Sequence, residues 1–247
     1  IFGILLVWGG WYLGEYSGGW RSDVFEPHVE ARFTGVDGQD EAWINASTYA
    51  NGDETIFGAD ETSKGHGLHL VLRGQKPYMG FYGNDWGGIT TIETGRWYHI
   101  AFRYTAASGE MAIFVNGQMD ASVTGRDPFW GIGMVRIGRW AGGRYFNGMI
   151  KEARVWSSDR SDAEIAGYMN RTLKGNESGL VGYWPLNEGE GNIAQNLANK
   201  GQFGTLVNAL WDAADAAGEL VLEEPLDEPI SSVPDEDNVL MDIDFSA

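Results

Sequence analysis

The chain has 247 residues, enough for one large or two small domains around a proper hydrophobic core. Hydrophobic residues make up 43%, with 11 Trp, 36 Gly and only 7 Pro, the composition of a globular chain of short strands and tight turns rather than a disordered one. A formal charge of −18 repels phosphates and excludes nucleic acid as a partner, and the absence of Cys excludes disulfides, zinc–thiolate and iron–sulfur sites, a cysteine nucleophile and covalent haem.

The first 14 residues, IFGILLVWGGWYLG, carry no charge. As a helix this run spans only ~21 Å, short of the ~30 Å hydrocarbon layer. Three explanations compete: a signal-peptide core, a buried strand, or the outer half of a transmembrane helix that begins upstream. No small-x-small cleavage pattern follows, which argues against the first. Trp8, Trp11, Tyr12, Tyr16 and Trp20 gather at the polar end, and the charges beyond (Glu15, Asp23, Glu26, against Arg21) are mostly acidic. Both traits favour a helix end leaving the non-cytoplasmic side of a bilayer. The expected anchor covers residues 1–20, with Ile1, Phe2, Ile4, Leu5, Leu6, Val7, Trp8, Trp11, Tyr12 and Leu13 facing lipid, and residues 21–27 form a linker. The stretch Trp8-Gly9-Gly10-Trp11-Tyr12-Leu13-Gly14, then Tyr16-Ser17-Gly18-Gly19, resembles the anchor helices of bacterial membrane-bound cytochromes and oxidase subunits.

From residue 28 onward, runs rich in β-branched and aromatic residues recur about every ten positions, the rhythm of a sandwich. The expected strands are His28–Val36, Glu41–Ser47, Thr55–Gly58, His66–Arg73, Tyr78–Gly83, Arg96–Tyr104, Glu110–Val115, Gln118–Val123, Met134–Gly138 and Gly148–Trp156. Asn116-Gly117 between the seventh and eighth accepts positive φ at both turn centres and predicts a two-residue hairpin. A helix should start after the N-cap Ser161, with Ile165, Tyr168, Met169 and Leu173 on one face. Strands at Gly179–Leu186 and Thr205–Val207 complete one sandwich over residues 28–211.

The last stretch is different. Gly201–Ala247 holds 12 acids and no Lys or Arg, which leaves the first 200 residues at only −6. Residues 212–247 read as a solvated acidic tail or as a docking strip for a basic partner. Pro225, Pro229 and Pro234, among spaced apolar residues, favour an extended arm over a helix.

Trp97-Tyr98-His99-Ile100-Ala101-Phe102, then Met111 to Gly117, then Phe146-Asn147-Gly148-Met149-Ile150-Lys151-Glu152-Ala153-Arg154-Val155-Trp156, and finally Gly179 to Gly191, form an ordered series. The series resembles laminin-G-like domains of the concanavalin A type, in their bacterial form. The resemblance implies an all-β antiparallel jelly roll with one short helix. It does not imply one function, because that fold hosts lectins, adhesion modules, glycosidases and structural domains.

Catalysis is not expected. Jelly-roll glycosidases of the laminarinase type carry E-x-D-x-x-E on one strand, so that period two places two carboxylates beside a sugar bond. No Glu here is followed two residues later by Asp. His66 and His69 are three apart and point to opposite faces of a strand, a poor metal pair. His99 lies within a strand motif and reads as a structural polar residue. No cofactor is expected. Asp37 and Asp40 are the one candidate pair for calcium, which prefers clustered oxygens, against the commoner reading of acids in a turn.

For sugars, the equipment is an aromatic platform beside hydrogen-bonding groups. Two glycine-flanked loops offer it: Asn84-Asp85-Trp86-Gly87-Gly88 and Arg139-Trp140-Ala141-Gly142-Gly143-Arg144-Tyr145. Asp85, Trp86, Trp140, Arg144 and Tyr145 are therefore the candidate contacts, to a glycan or to a protein partner. Two functions remain. One is a non-catalytic accessory subunit of a bacterial inner-membrane complex, respiratory or photosynthetic, with its main domain on the periplasmic side, its N-terminus in the lipid bilayer and its arm on other subunits. The other is a membrane-tethered lectin or adhesion module.

Overall fold

Asn116 and Gly117 adopt φ of 51° and 76°, and the hairpin they close joins two strands of a large antiparallel sheet. The computed structural model describes residues 5–7, 26–27, 37–49, 52–131, 135–140, 143–198, 202–207 and 209–211. Its elements in chain order are β1 (Leu5–Val7), β2 (Glu26–Pro27), β3 (Gly38–Ala46), β4 (Asp53–Ala59), β5 (His69–Arg73), β6 (Lys76–Gly80), β7 (Asp85–Gly87), β8 (Trp97–Thr105), β9 (Glu110–Val115) and β10 (Gln118–Val123). They continue with β11 (Val135–Ile137), β12 (Arg139–Trp140), β13 (Arg144–Tyr145), β14 (Gly148–Trp156), α1 (Asp162–Tyr168), β15 (Leu180–Trp184), β16 (Ile193–Gln195), β17 (Phe203–Thr205) and β18 (Ala209–Trp211).

Two sheets make the sandwich. One runs β10-β9-β8-β3-β14-β1-β18, with β15 also on β14; the other runs β11-β4-β5-β6-β7. Alternation along each strand builds the core between them. Ala42 and Ile44 of β3, Ile100 and Phe102 of β8, and Ile113 of β9 meet Phe57 of β4, Leu70 and Leu72 of β5 and Met79 of β6. Each such fully buried aliphatic or aromatic side chain contributes ~1.5–3 kcal/mol.

A second layer covers the outer face of the larger sheet. Ser161 caps α1 through a capping box with Glu164, and Ile165 is buried against Ala101, Ala112 and Phe114. Seven residues are too few for a helix to persist alone, so this docking holds it. The helix stops at Tyr168: Met169 is its C-cap, and Leu173, expected on the helix face, packs beyond it with Trp156 and Tyr183.

The N-terminal expectation needs correction at Leu5–Val7. These residues form not a helix but a strand, pairing antiparallel with β14 (Leu5 opposite Ile150) and β18 (Leu5 opposite Trp211). Two strand edges that would otherwise offer unpaired backbone groups are thereby joined, which is the pull against a helix. The expected anchor residues Ile1, Phe2, Ile4, Trp8, Trp11, Tyr12 and Leu13 lie outside the described residues, as do the expected strand His28–Val36 and the arm 212–247. Among the described residues no helix is long and apolar enough to cross a membrane. Within the expected linker, Glu26–Pro27 pairs with β17.

Candidate functional site

The outer face of the larger sheet is closed where α1 and the chain after it lie on it. Trp43 Nε1 donates to the carbonyl of Met169 at 2.8 Å, and Arg154 donates to the carbonyls of Tyr168 (3.0 Å) and Arg171 (2.5 Å). Beneath them Glu41, fully buried, meets Arg154 at 3.2 Å and His99 at 3.5 Å. Burial alone would raise the Glu41 carboxyl, but the hydrogen bond and charge of His99, with those of Arg154, draw it down to about 2. This cluster is sealed from solvent and pins the second layer; His99 is structural, as its place in the strand motif suggests.

The outer face of the five-stranded sheet is built differently. Period two sends His69, Val71 and Arg73 of β5 outward, and pairing aligns them with Gly80, Tyr78 and Lys76 of β6. Asp85 of β7 stands opposite Gly80, and Asp53 of β4 opposite Arg73. Arg73 is clamped: Nε and Nη2 donate to the two oxygens of Asp53 at 2.7 and 2.8 Å, and Nη1 to Asp85 Oδ2 at 3.2 Å. Its guanidinium also lies 4.8 Å over the Tyr78 ring, yet its side chain remains 37% exposed. Asp85 Oδ2 is 3.2 Å from His69 Nε2, while His69 Nδ1 lies 2.9 Å from the Gly67 carbonyl oxygen. Burial pushes the Asp85 carboxyl upward, but His69 and Arg73 outweigh it and hold it below its usual range. Asp85 Oδ1 has no hydrogen-bond partner.

Glycines make the floor of this face. A Cβ on Gly80 would sit 2.0 Å from His69 Nε2 and 2.7 Å from Asp85 Oδ1; one on Gly58 would sit 2.6 Å from Trp140 Cβ. The missing side chains let the rings lie flat on the sheet. Trp140, carried across β4 by the short hairpin β12–β13, stacks on His69 with centroids 4.6 Å apart and 26° between planes.

The structure brings Asp85, Trp140 and Arg144 to this face and turns Trp86 and Tyr145 away from it. The segment read as the loop Asn84–Gly88 contains a strand, so Trp86 points opposite to Asp85 and packs on the core, with Arg126 5.3 Å from its ring. Tyr145 also packs on the core. Trp140 is 8% exposed rather than projecting, and Arg144 lies 5.6 Å over its ring at the surface. Sequence reasoning missed Asp53, His69, Arg73 and Tyr78. The alternation in His69-Leu70-Val71-Leu72-Arg73 was the signal available for two of them.

Asp37 and Asp40 do not act as a pair. Asp37 Oδ1 accepts from the backbone of Ala106 at 2.7 Å, whereas Asp40 points into the core. Among the described residues no group of three acidic or histidine side chains could hold a metal. His66 lies in a turn and His69 on β5, so they do not converge either.

A family model described as the concanavalin A-like lectin/glucanases superfamily matches residues 37–166. No curated protein matches the chain. Among solved structures, a candidate carbohydrate-binding protein from Bacteroides ovatus superposes with a TM-score of 0.65 at 21% identity, covering 86% of this chain and 60% of that one. The heptameric SAP-like pentraxin of Limulus polyphemus superposes with a TM-score of 0.52 at 13% identity, covering 83% and 95%. This chain thus spans 60% of the length of the Bacteroides protein. At these identities the structural likeness is one of fold, and with the family match and the two-sheet antiparallel sandwich it places the chain in the concanavalin A-like lectin/glucanases superfamily.

Proposed function

We propose that the chain binds carbohydrate, without catalysing its cleavage, on the outer face of the five-stranded sheet. The observation that carries this reading is the Arg73–Asp85 pair. A partly exposed guanidinium and a carboxylate are held rigid between Asp53 and His69, beside the partly exposed ring of Tyr78, while Trp140 is packed on His69 and fixes it in place. Sugar hydroxyls take and give hydrogen bonds, and sugar C–H faces pack on aromatic rings. A prearranged donor, acceptor and ring surface meets both needs without an ordering cost on binding. The likeness to the Bacteroides protein supports this glycan-binding reading over that of a subunit in a membrane complex.

The test is a binding screen of the 247-residue chain against soluble β-glucan, xylan, arabinan, mannan, galactan and chondroitin sulfate. Arg73→Ala and Asp85→Asn should each weaken the best binder about tenfold or more, the cost of one charged hydrogen bond. Binding that neither variant alters would overturn the placement, and a screen without any binder would overturn the function. Release of reducing ends from the bound polysaccharide would overturn the non-catalytic part.

A further inference from the structure

Beyond Trp140 two aromatic side chains stand in the solvent at the rim of the same sheet. Tyr82 is 37% exposed and Trp130 52%, and Trp130 alone among the described tryptophans is exposed to this degree. Both are fastened to one turn, Ser63–Gly67. Gly65 N donates to the carbonyls of Phe81 (2.7 Å) and Tyr82 (3.2 Å), and Trp130 N donates to the Gly65 carbonyl at 2.7 Å. The Trp130 ring lies against Gly65, where a Cβ would be 3.5 Å from Cδ1, and Tyr82 Cβ is 3.1 Å from where a Gly67 Cβ would be. Toward the sheet, the Tyr82 ring is 6.3 Å from that of Trp140.

The backbone at Tyr82 adds a second observation. Its φ is +57°, the left-handed region that bulky L-residues rarely occupy and that glycine occupies freely. The next residue, Gly83, also has a positive φ of 77°. The two residues centre the tight turn between β6 and β7, which Phe81 N closes by donating to the Asn84 carbonyl at 3.2 Å, and such a turn takes positive φ at both centres. The turn carries the Tyr82 ring to the tip of the hairpin, partly exposed beside Trp140.

Resting on the carbohydrate-binding reading, the geometry points to a further subsite: Tyr82 and Trp130 form a ledge for successive sugar rings, so the ligand is an extended oligosaccharide rather than a single terminal sugar. Contacts link Asp85 through His69 and Trp140 to Tyr82, and Tyr82 through the Gly65 turn to Trp130, and exposed aromatic faces suit the apolar faces of pyranose or furanose rings. The ledge has polar neighbours for sugar hydroxyls. His66 and Glu61, 3.9 Å apart, are each partly exposed on the same turn region.

The experiment takes the best binder of the polysaccharide panel and prepares from it an oligosaccharide ladder of one to eight units. Affinity of the 247-residue chain is measured along the ladder for the unaltered protein, Trp130→Ala, Tyr82→Gly and, as the control at the first subsite, Arg73→Ala. Glycine keeps the positive φ of the turn at position 82, and thermal unfolding of each variant checks that the fold is retained. Affinity should rise with length in the unaltered protein. Trp130→Ala and Tyr82→Gly should each reduce binding of the longest members about tenfold, while leaving the shortest that binds unchanged. Arg73→Ala should weaken every member. An affinity flat with length, or ledge variants that bind long chains as the unaltered protein does, would overturn the ledge while the carbohydrate reading stands. Indifference of every ladder member to Arg73→Ala would overturn the first subsite, and with it the continuous path on which the ledge depends.

Discussion

The imidazole of His69 lies flat between the backbone of Gly80 and the indole of Trp140, 2.0 Å from where a Gly80 Cβ would be and 4.6 Å from the indole centroid. That sandwich fixes where Asp85 and Arg73 stand, because the same imidazole faces Asp85 and Asp85 faces Arg73. The order of dependence runs from a glycine floor, through two stacked rings, to a charged pair at the surface.

Gly80→Ala therefore tests the floor. The added methyl must displace His69 and Asp85, so stability should fall by ~1–3 kcal/mol, the usual cost of overpacking. Sugar affinity should fall about tenfold or more through the misplaced carboxylate. Thermal unfolding and titration of the same sample check both. A variant that unfolds like the parent and binds like it would show that the floor is not tight.

Trp86 and Trp140 should respond differently. The sequence offers both as candidate contacts, but Trp86 packs on the core and Trp140 roofs His69. Trp86→Phe should keep sugar binding within about twofold and cost ~1 kcal/mol of stability. Trp140→Ala should lose ~3–5 kcal/mol, and binding with it. Equal loss of binding in both variants, at equal stability, contradicts the placement.

Asp40 predicts an unusual stability profile. It sits in the sandwich core among Leu68, Leu70, Met79, Phe102 and Phe129, beside a cavity of about 20 Å³, room for one water molecule. Burial, then the neighbouring charge of Glu41, pushes its carboxyl from 3.8 up to about 8. The folded chain therefore holds a proton that the unfolded chain releases. This contribution is complete below pH 3.8, is lost as pH rises to about 8, and is level above that. Glu41 acts with the opposite sign: its folded value of about 2 lies below 4.5, so its contribution is present above pH 4.5 and is lost as pH falls to about 2. Between them, melting temperature should peak near pH 4 to 5, at about the crossing of the two windows, and decline toward pH 8. Asp40→Asn should flatten the decline between pH 4 and 8. A parent chain whose stability is level across that range would refute the buried protonated carboxyl.

Much of the fold was legible because its signals are local. Asn116-Gly117 admits one hairpin, Ser161 with Glu164 admits one helix start, and the alternation in β8 and β9 marks two faces. The strands at Glu110–Val115, Gln118–Val123 and Gly148–Trp156 have the bounds expected for them. The short strands β7, β12 and β13 were not legible. Their three or two residues make no period, and pairing with β6 or with each other creates them. The same limit hid the site. Asp53, Arg73 and Asp85 lie on three strands, and nothing in one chain order says that Arg73 will find both acids. Asp40 misled because acids near glycine usually mark turns, whereas here the strand begins two residues earlier and turns the carboxyl inward.

The most direct measurement is a crystal structure of the chain with the best-binding oligosaccharide of the panel. The expected result is a sugar ring on the outer face of the five-stranded sheet, with hydroxyls within ~3.2 Å of the Arg73 guanidinium or the Asp85 carboxylate. An oligosaccharide seated on another surface, with Arg73 and Asp85 untouched, would contradict the account.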